Sequence, residues 1–348
     1  MKASFRASFP PFPSFGSNTL NSVGEIAIPE PGPNEVQCRV VAASVNPVDW
    51  KLLRGDILRS FAPFAFPGVP GMDFSGVVTK VGSCVRDFKV GDAVMGSAQK
   101  ATSGAGSFAE YVVTTEGALA RKPQSMTFAE ASACVVMLTA YVGLSSIARV
   151  QRGHKVLVIN AAGGTGQCAV QMAKAMGATV YAVCSTDNVD FVRSLGADRV
   201  IDRKKESFKD ALQGETLDVV LDCVGGDALW LDAKTLMNSK GVFVTTTGPQ
   251  EHGTKMTMSV LVSMMLMYFG RKLTWGAPSY ELIADLAWEQ NWKKAVKFVE
   301  EMESFSVSVR ETFELEKVPD AIAAAMAFGG HGKIVIAVDK EAAGQKAI

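Results

Sequence analysis

The sequence is short of histidine, of charge imbalance and of long apolar runs, and each shortage removes a class of function. Three histidines, His154, His252 and His331, stand among 348 residues, and none pairs with a cysteine at metal-ligand spacing. A zinc centre of thiolates and imidazoles has no ligand set to build on, so no metal is expected. Lys and Arg total 35, as do Asp and Glu. A formal net charge of zero leaves no basic footprint for nucleic acid or an anionic membrane. The six cysteines, Cys38, Cys84, Cys134, Cys168, Cys184 and Cys223, are scattered with no C-x-x-C pair. That argues against a disulfide framework and for most of them being small buried residues in a reducing compartment. No Ser-His-Asp set or Cys-His pair can be argued from spacing. The strongly apolar run Thr257–Phe269 falls short of the ~20 residues a bilayer span needs. It reads as a buried helix, a subunit contact or a substrate-pocket wall.

What is present is a globular composition, 48% hydrophobic and 20% charged with 32 glycines, in a chain long enough for about two domains. The first third is β-rich. Val36–Val45 and Asp73–Val81 are short and β-branched, and glycine and proline punctuate them at Pro29–Pro33, Pro67–Gly71 and Gly91. Such spacing predicts a small barrel or sandwich. Thr127–Val150 reads as helical. Strands at Lys155–Asn160, Thr179–Cys184, Leu217–Cys223 and Gly241–Thr246 then alternate with helices at Gly166–Met176, Asn188–Leu195 and Ala228–Met237. Apolar strands alternating with helices predict a parallel, doubly wound α/β sheet. Two helices, Tyr280–Gln290 and Trp292–Glu303, and a last strand, Lys333–Asp339, follow. At the other end, Met1–Leu20 has Lys2 and Arg6 and no acid, as transit peptides do. Pro10, Pro11 and Pro13 would break an amphipathic helix there, so Met1–Ser8 is read as a folded strand.

The central motif is Asn160-Ala161-Ala162-Gly163-Gly164-Thr165-Gly166, between a strand and a helix. In that setting glycines permit a tight turn and close approach of the backbone to a pyrophosphate, and Gly166 lets the helix pack on the strand. The helix N-terminus then offers N–H groups and the positive dipole end. An acidic residue about 20 positions on would bind the ribose 2′-hydroxyl of NAD. Here the next strand ends Cys184-Ser185-Thr186, and Asp187 lies one residue further. Two hydroxyls suit a 2′-phosphate, and Arg203 at the end of the following strand could pair with it. NADPH is the expected cofactor. The competing reading makes Arg203, Lys204 and Lys205 a solvated charge run. With such a cofactor, a quinone or enone lying flat on the nicotinamide needs only positioning, hydrogen-bond donors to its oxygen and a proton from water.

Taken in order, Val45–Lys51 (VNPVDWK), Gly71–Val78 (GMDFSGVV), Val90–Val94, Gly106–Val113, Leu138–Tyr141 and the glycine motif resemble the medium-chain dehydrogenase/reductase superfamily over nearly the whole chain. The branch resembles the zinc-free quinone oxidoreductases, the zeta-crystallin group. Zinc members carry a cysteine ligand in the Asn46–Asp49 region and His-Glu at Met72-Asp73, and both are replaced here. The resemblance implies a GroES-like β-barrel catalytic domain, residues 1–125 and 279–348, with a Rossmann domain, 126–278, inserted. It implies that Asn46 lines the cleft and Thr139 touches the nicotinamide end. The turn of Cys223 and Val224 would lie beside the cofactor, Thr246 near the nicotinamide, and Lys333, in the C-terminal Gly-Lys pair, would be a further cofactor residue.

Three positions depart from the pattern. Lys51 stands where some quinone reductases carry a tyrosine proposed to assist the acceptor. Arg203 replaces a tyrosine near the 2′-phosphate, and His331 an arginine. Each cleft residue also has a structural reading: Asn46 shapes a turn before Pro47, Thr139 packs in a helix, and Lys51 is solvated. The expected function is NADPH-dependent quinone reduction. The alternatives are double-bond reduction of an enal, enone or enoyl thioester, and a non-catalytic NADPH-binding role. The expected partners are a small quinone or α,β-unsaturated carbonyl and a second copy of the chain. The expected compartment is cytoplasmic, with mitochondrial as the alternative.

Overall fold

Apolar runs at residues 156–159 and 219–221 become the cores of neighbouring central strands buried on both faces, as parallel strands covered by helices must be. They belong to a computed structural model that describes residues 2–4, 23–54, 68–248, 258–272, 277–283, 288–327 and 329–346. The expected Met1–Ser8 strand is described at β1 (Lys2–Ser4), which pairs antiparallel with β2 (Val23–Glu25). Its other residues lie outside the described ones, as does His252.

A first unit holds β3 (Glu35–Ser44), α1 (Pro47–Arg54), β4 (Asp73–Val81), β5 (Ala93–Ser97), β6 (Tyr111–Thr115) and β7 (Leu119–Arg121). Next come α2 (Phe128–Ala131) and α3 (Cys134–Tyr141), then a π-helical turn, Val142–Ile147. Thr127 opens α2 with a capping box: Glu130 N donates to Thr127 Oγ1, and Thr127 N to the Glu130 carboxylate. The single helix expected over Thr127–Val150 is therefore broken at Ala133, whose ψ of 33° leaves the helical range.

The parallel sheet comprises β8 (Lys155–Ile159), β9 (Thr179–Cys184), β10 (Arg199–Asp202), β11 (Leu217–Asp222), β12 (Met237–Thr245) and β13 (Ser279–Leu282). The helices between them are α4 (Gly164–Ala175), α5 (Val189–Ser194), α6 (Phe208–Ala211), α7 (Asp227–Ala233) and α8 (Met258–Lys272). Its order is β10-β9-β8-β11-β12-β13. The chain reverses direction across the sheet between β8 and β11, which opens a crevice at the carboxyl ends of those strands. The helix expected to begin at Tyr280 is a correction: β13 pairs with β12, and Tyr280 stacks on Phe243 with ring centroids 5.3 Å apart. The sheet therefore runs to Leu282, past the boundary expected at residue 278.

After α9 (Trp288–Glu300) come β14 (Val309–Glu314), α10 (Val318–Met326), β15 (Lys333–Ala337) and α11 (Lys340–Ala343). β15 pairs antiparallel with β3, and the barrel sheet runs β14-β15-β3-β4-β5-β7 with β6 also on β3. Trp50, Phe74, Phe108, Ile334 and Ile336 fill its interior. Each such side chain contributes on the order of 1.5–3 kcal/mol.

The apolar run expected around Thr257–Phe269 forms α8, which packs on β13. Arg271 anchors it, forming an ion pair with Asp227 and lying 4.4 Å from the Tyr280 ring centroid. Val262, Met265, Leu266 and Phe269 face outward, with Leu266 69% exposed. This stripe is therefore not buried within a single chain. No described helix is long and apolar enough to cross a membrane.

Candidate active site

β8 ends at Ile159, and Asn160 turns the chain with a φ of 63°, a region asparagine tolerates better than most residues. Gly163 then stands as N-cap of α4 with no side-chain cap. The first-turn amides are thus not covered by a capping side chain, and the helix dipole adds its positive end. A Cβ on Gly166 would lie 2.2 Å from the Asn160 carbonyl oxygen and 2.7 Å from Ala161 Cα. Only glycine lets α4 lie this close to the turn. Gly163, Gly164 and Thr165 are half-buried along the turn, while Ala162 is buried and its carbonyl accepts from Gly332 N at 3.2 Å. The cradle fits a dinucleotide pyrophosphate.

The end of β9 lies alongside. Ser185 Oγ accepts from Asn188 Nδ2 at 3.0 Å, and Thr186 is exposed and bonded to Asp202. Arg203 N donates to the Cys184 carbonyl at 2.9 Å, which puts the exposed Arg203 beside Ser185. Lys204 Nζ stands 3.8 Å from the Asp187 carboxylate and Lys205 Nζ 3.5 Å from that of Asp202, so both acids at this edge face a lysine. The segment before β15 closes over it: Asn188 Nδ2 also donates to the Gly330 carbonyl at 3.3 Å, and His331 stacks on Phe191 at 4.0 Å. Ser185, Thr186, Arg203 and the 330–332 segment are thus brought to one rim.

Across the crevice, Asp222 organises two turns at once. Its carboxylate accepts from Val224 N at 2.9 Å, Gly225 N at 3.0 Å and Thr245 Oγ1 at 2.8 Å. Its carbonyl accepts from Thr246 N at 3.0 Å. Burial pushes the Asp222 carboxyl up, and these hydrogen bonds pull it back. Cys223 N donates to the Ile159 carbonyl at 3.3 Å, tying this turn to the start of the glycine motif. Burial also pushes the Cys223 thiol up, so it is no ready nucleophile. Thr139 donates to Val135 O at 2.7 Å within α3, and stays half-buried.

Beneath the crevice sits a charged cluster that sequence reasoning only half found. Lys333, 5% exposed, donates from Nζ to Val45 O and Asn46 Oδ1, both at 2.7 Å. Asp49 accepts from Asn46 N at 2.7 Å, and Asp73 from Ser44 Oγ at 3.1 Å. Burial raises Asp49 to about 7, with Asp73 adding to the rise and Lys333 opposing it. Burial raises Asp73 to about 6 against the pull of Lys333. Burial lowers Lys333, and the two carboxylates support its charge. The signal for Asp49 was present: an Asn-Pro-x-Asp sequence folds back as a capped first turn. Lys51 is half-buried on α1, its ammonium 5.8 Å from the Trp50 ring centroid.

The chain matches two family models, an alcohol dehydrogenase GroES-like domain over residues 32–124 and a zinc-binding dehydrogenase domain over residues 164–301. A quinone-oxidoreductase homolog of Spinacia oleracea, chloroplastic, is 32% identical over 331 residues, 92% of this chain and 94% of that protein. The chain belongs to the medium-chain dehydrogenase/reductase superfamily, in its quinone oxidoreductase branch. An NADPH-dependent alkenal/one oxidoreductase of Arabidopsis thaliana, chloroplastic, is 41% identical over 217 residues, 60% of this chain and 55% of that protein. The solved quinone oxidoreductase of Coxiella burnetii superposes with a TM-score of 0.79 at 27% identity, covering 97% of this chain and 99% of that one. This member of the branch is an oxidoreductase enzyme built on a nicotinamide-cofactor fold.

The zinc-binding description belongs to the model matched over residues 164–301, and among the described residues no group of three or more His, Cys, Asp or Glu could hold a metal ion. Where zinc members hold their ligands, this reductase has an amide oxygen bonded to an ammonium and a carboxylate bonded to Ser44. Neither is a thiolate or imidazole donor.

Proposed function

We propose that this protein transfers a hydride from NADPH to a quinone. The observation that carries the cofactor choice is the rim of Ser185, Thr186 and Arg203, where Lys204 faces the Asp187 carboxylate and Thr186 and Lys205 engage that of Asp202. A 2′-phosphate gains from an arginine fork and from hydroxyl donors, and it would be repelled by an unpaired carboxylate.

The first turn of α4, with Ala162, Gly163, Gly164, Thr165 and Gly166, holds the pyrophosphate. Thr139, Cys223, Val224 and Thr246 border the nicotinamide. When bound, the cofactor supplies a hydride, and a proton from water completes the two-electron reduction. Asn46 and Lys51 sit on the acceptor side. Asn46 gives its amide oxygen to Lys333, and its Nδ2 lies 3.5 Å from Ser44 O. Its part is therefore to hold the acceptor-side turn. The residues supply position and electrostatics while the cofactor supplies the chemistry.

A second reading is reduction of an activated carbon–carbon double bond, supported by likeness to the alkenal/one oxidoreductase. The same cleft and the same hydride serve both. We also infer a homodimer through the nucleotide-binding units, supported by the outward apolar stripe of α8 beside the edge strand β13.

The deciding experiment is NADPH consumption by purified protein against matched quinones and 2-alkenals, with NADH in parallel. Turnover of quinones with NADPH is expected. Turnover of alkenals alone would move the reading to double-bond reduction. Tight NADPH binding with no turnover anywhere would leave a binding protein.

A further inference from the structure

Lys333 opens β15, and almost nothing of it reaches solvent. A buried ammonium is costly unless it is paired and hydrogen-bonded. Among the described residues, the hydrogen-bond acceptors of its ammonium and the carboxylates that act on its charge lie on the barrel side. Val45 O and Asn46 Oδ1 accept at 2.7 Å, and Asp49 at the start of α1 and Asp73 at the start of β4 interact with its charge. Its carbon stem crosses the other unit on the way. A Cβ built on Gly164 would stand 2.8 Å from Lys333 Cδ. One residue earlier, Gly332 N donates to Ala162 O. A single side chain thus touches the first residue of the phosphate-binding helix with its carbons and the acceptor-side turn with its nitrogen.

We propose that Lys333 is a positioning residue that locks the glycine turn and the Val45–Asp49 turn in register, so that cofactor and acceptor are held at a fixed separation. The proposal rests on the reductase reading above for its consequence in turnover, but not for its geometry. A compact ammonium on a slim stem suits the passage over Gly164, where a planar guanidinium would be wider. Its charge also offsets two buried carboxylates that would otherwise repel one another. With the Asn46 oxygen fixed on Lys333, the Nδ2 end is directed to the other side, toward Ser44 and Asp73. Hydride transfer is sensitive to this kind of placement, because an error of about 1 Å far from the reacting atoms can cost about 100-fold in rate.

The test compares the wild-type protein with Lys333→Met, which keeps the stem and deletes the charge. The first readout needs no cofactor. Amide hydrogen exchange of the whole chain is expected to speed up about tenfold or more in residues 163–167 and 45–49 together. The second readout uses NADPH and the quinone found active. The dissociation constant for NADPH should stay within about threefold, while kcat falls about 100-fold. The primary deuterium isotope effect on kcat, with cofactor deuterated at the transferred position, should rise. A merely structural loss would lower the number of NADPH-binding sites and kcat in proportion, with the isotope effect unchanged. Should Lys333→Met fail to fold, Gly164→Ala displaces the same stem and keeps the charge, and it should loosen both segments to a smaller degree. Loosening confined to one segment, or kcat per bound NADPH within about threefold of wild type, overturns the proposal. An inactive wild type would sink the reductase reading instead, and the exchange data would still decide the register.

Discussion

Asp222 accepts a 2.8 Å hydrogen bond from Thr245, which stands 23 residues further along the next strand. The same carboxylate holds the amides of Val224 and Gly225, so one buried anion shapes both turns on that side of the crevice. Asp222→Ala would leave these donors without their acceptor. Two of the bonds, from Gly225 N and Thr245 Oγ1, are buried, and each buried donor left unsatisfied costs about 1–3 kcal/mol, so denaturant unfolding should show a loss of about 2–6 kcal/mol. NADPH affinity should fall with it, read by quenching of protein fluorescence. Asp222→Asn keeps one acceptor oxygen and should lose less on both counts.

Arg203 gives the cofactor choice its own test. Arg203→Glu should weaken NADPH binding by about tenfold or more, which is about 1.4 kcal/mol or more. NADH binding should stay within about threefold. Equal losses for both cofactors in parallel titrations would return Arg203 to a solvated charge run.

The buried carboxylate of Asp49 makes a pH prediction. Its pKa is raised by burial from 3.8 to about 7. Between those values the native chain holds a proton that the unfolded chain has released. The contribution of Asp49 to stability is therefore fully present below about pH 4 and is lost as pH rises through about 7. Asp49→Asn removes that dependence. The difference in Tm between variant and wild type should grow in favour of the variant from pH 5 to pH 8. A constant difference across that range would show that Asp49 does not titrate there.

The stripe on α8 predicts a change of assembly without a change of fold. Leu266→Glu with Phe269→Asp places charges on side chains that are already exposed in the single chain. Light scattering should report a dimer for the wild type and a monomer for the double variant. Stability of the monomer should move by no more than about 0.5 kcal/mol per site. A wild type that scatters as a monomer would refute the homodimer.

How much of this was legible in the sequence depended on whether a feature was local. The glycine motif was, because a strand, a turn and a helix follow one another between Lys155 and Ala175 and Gly166 must meet Asn160. β13 was not. Tyr280 and its neighbours carry no clear alternation, and what makes them a strand is pairing with β12 on one side and stacking on Phe243. Asp222 sits in an apolar strand with no local signal of its role, since its partners are two turns that only the fold brings together. Lys333 was read as a cofactor residue from its place after Gly332. Its nitrogen instead points into the barrel, toward acceptors 287 and 288 residues away.

The position of β15 bears on how the chain is made. The parallel sheet is contiguous from β8 to β13 and is complete once Leu282 has left the ribosome. The barrel begins earlier yet stays open, because Ala42–Ser44 of β3 wait for Val335–Ala337. Domains tend to fold as units in the order of their synthesis, and here the later unit is finished first. Until translation reaches residue 337, one edge of the β3 strand has no β15 to cover it, and an uncovered edge is a template for pairing with other chains. Lys333 arrives with that strand, so the link between the two halves can form only after the parallel sheet has been made.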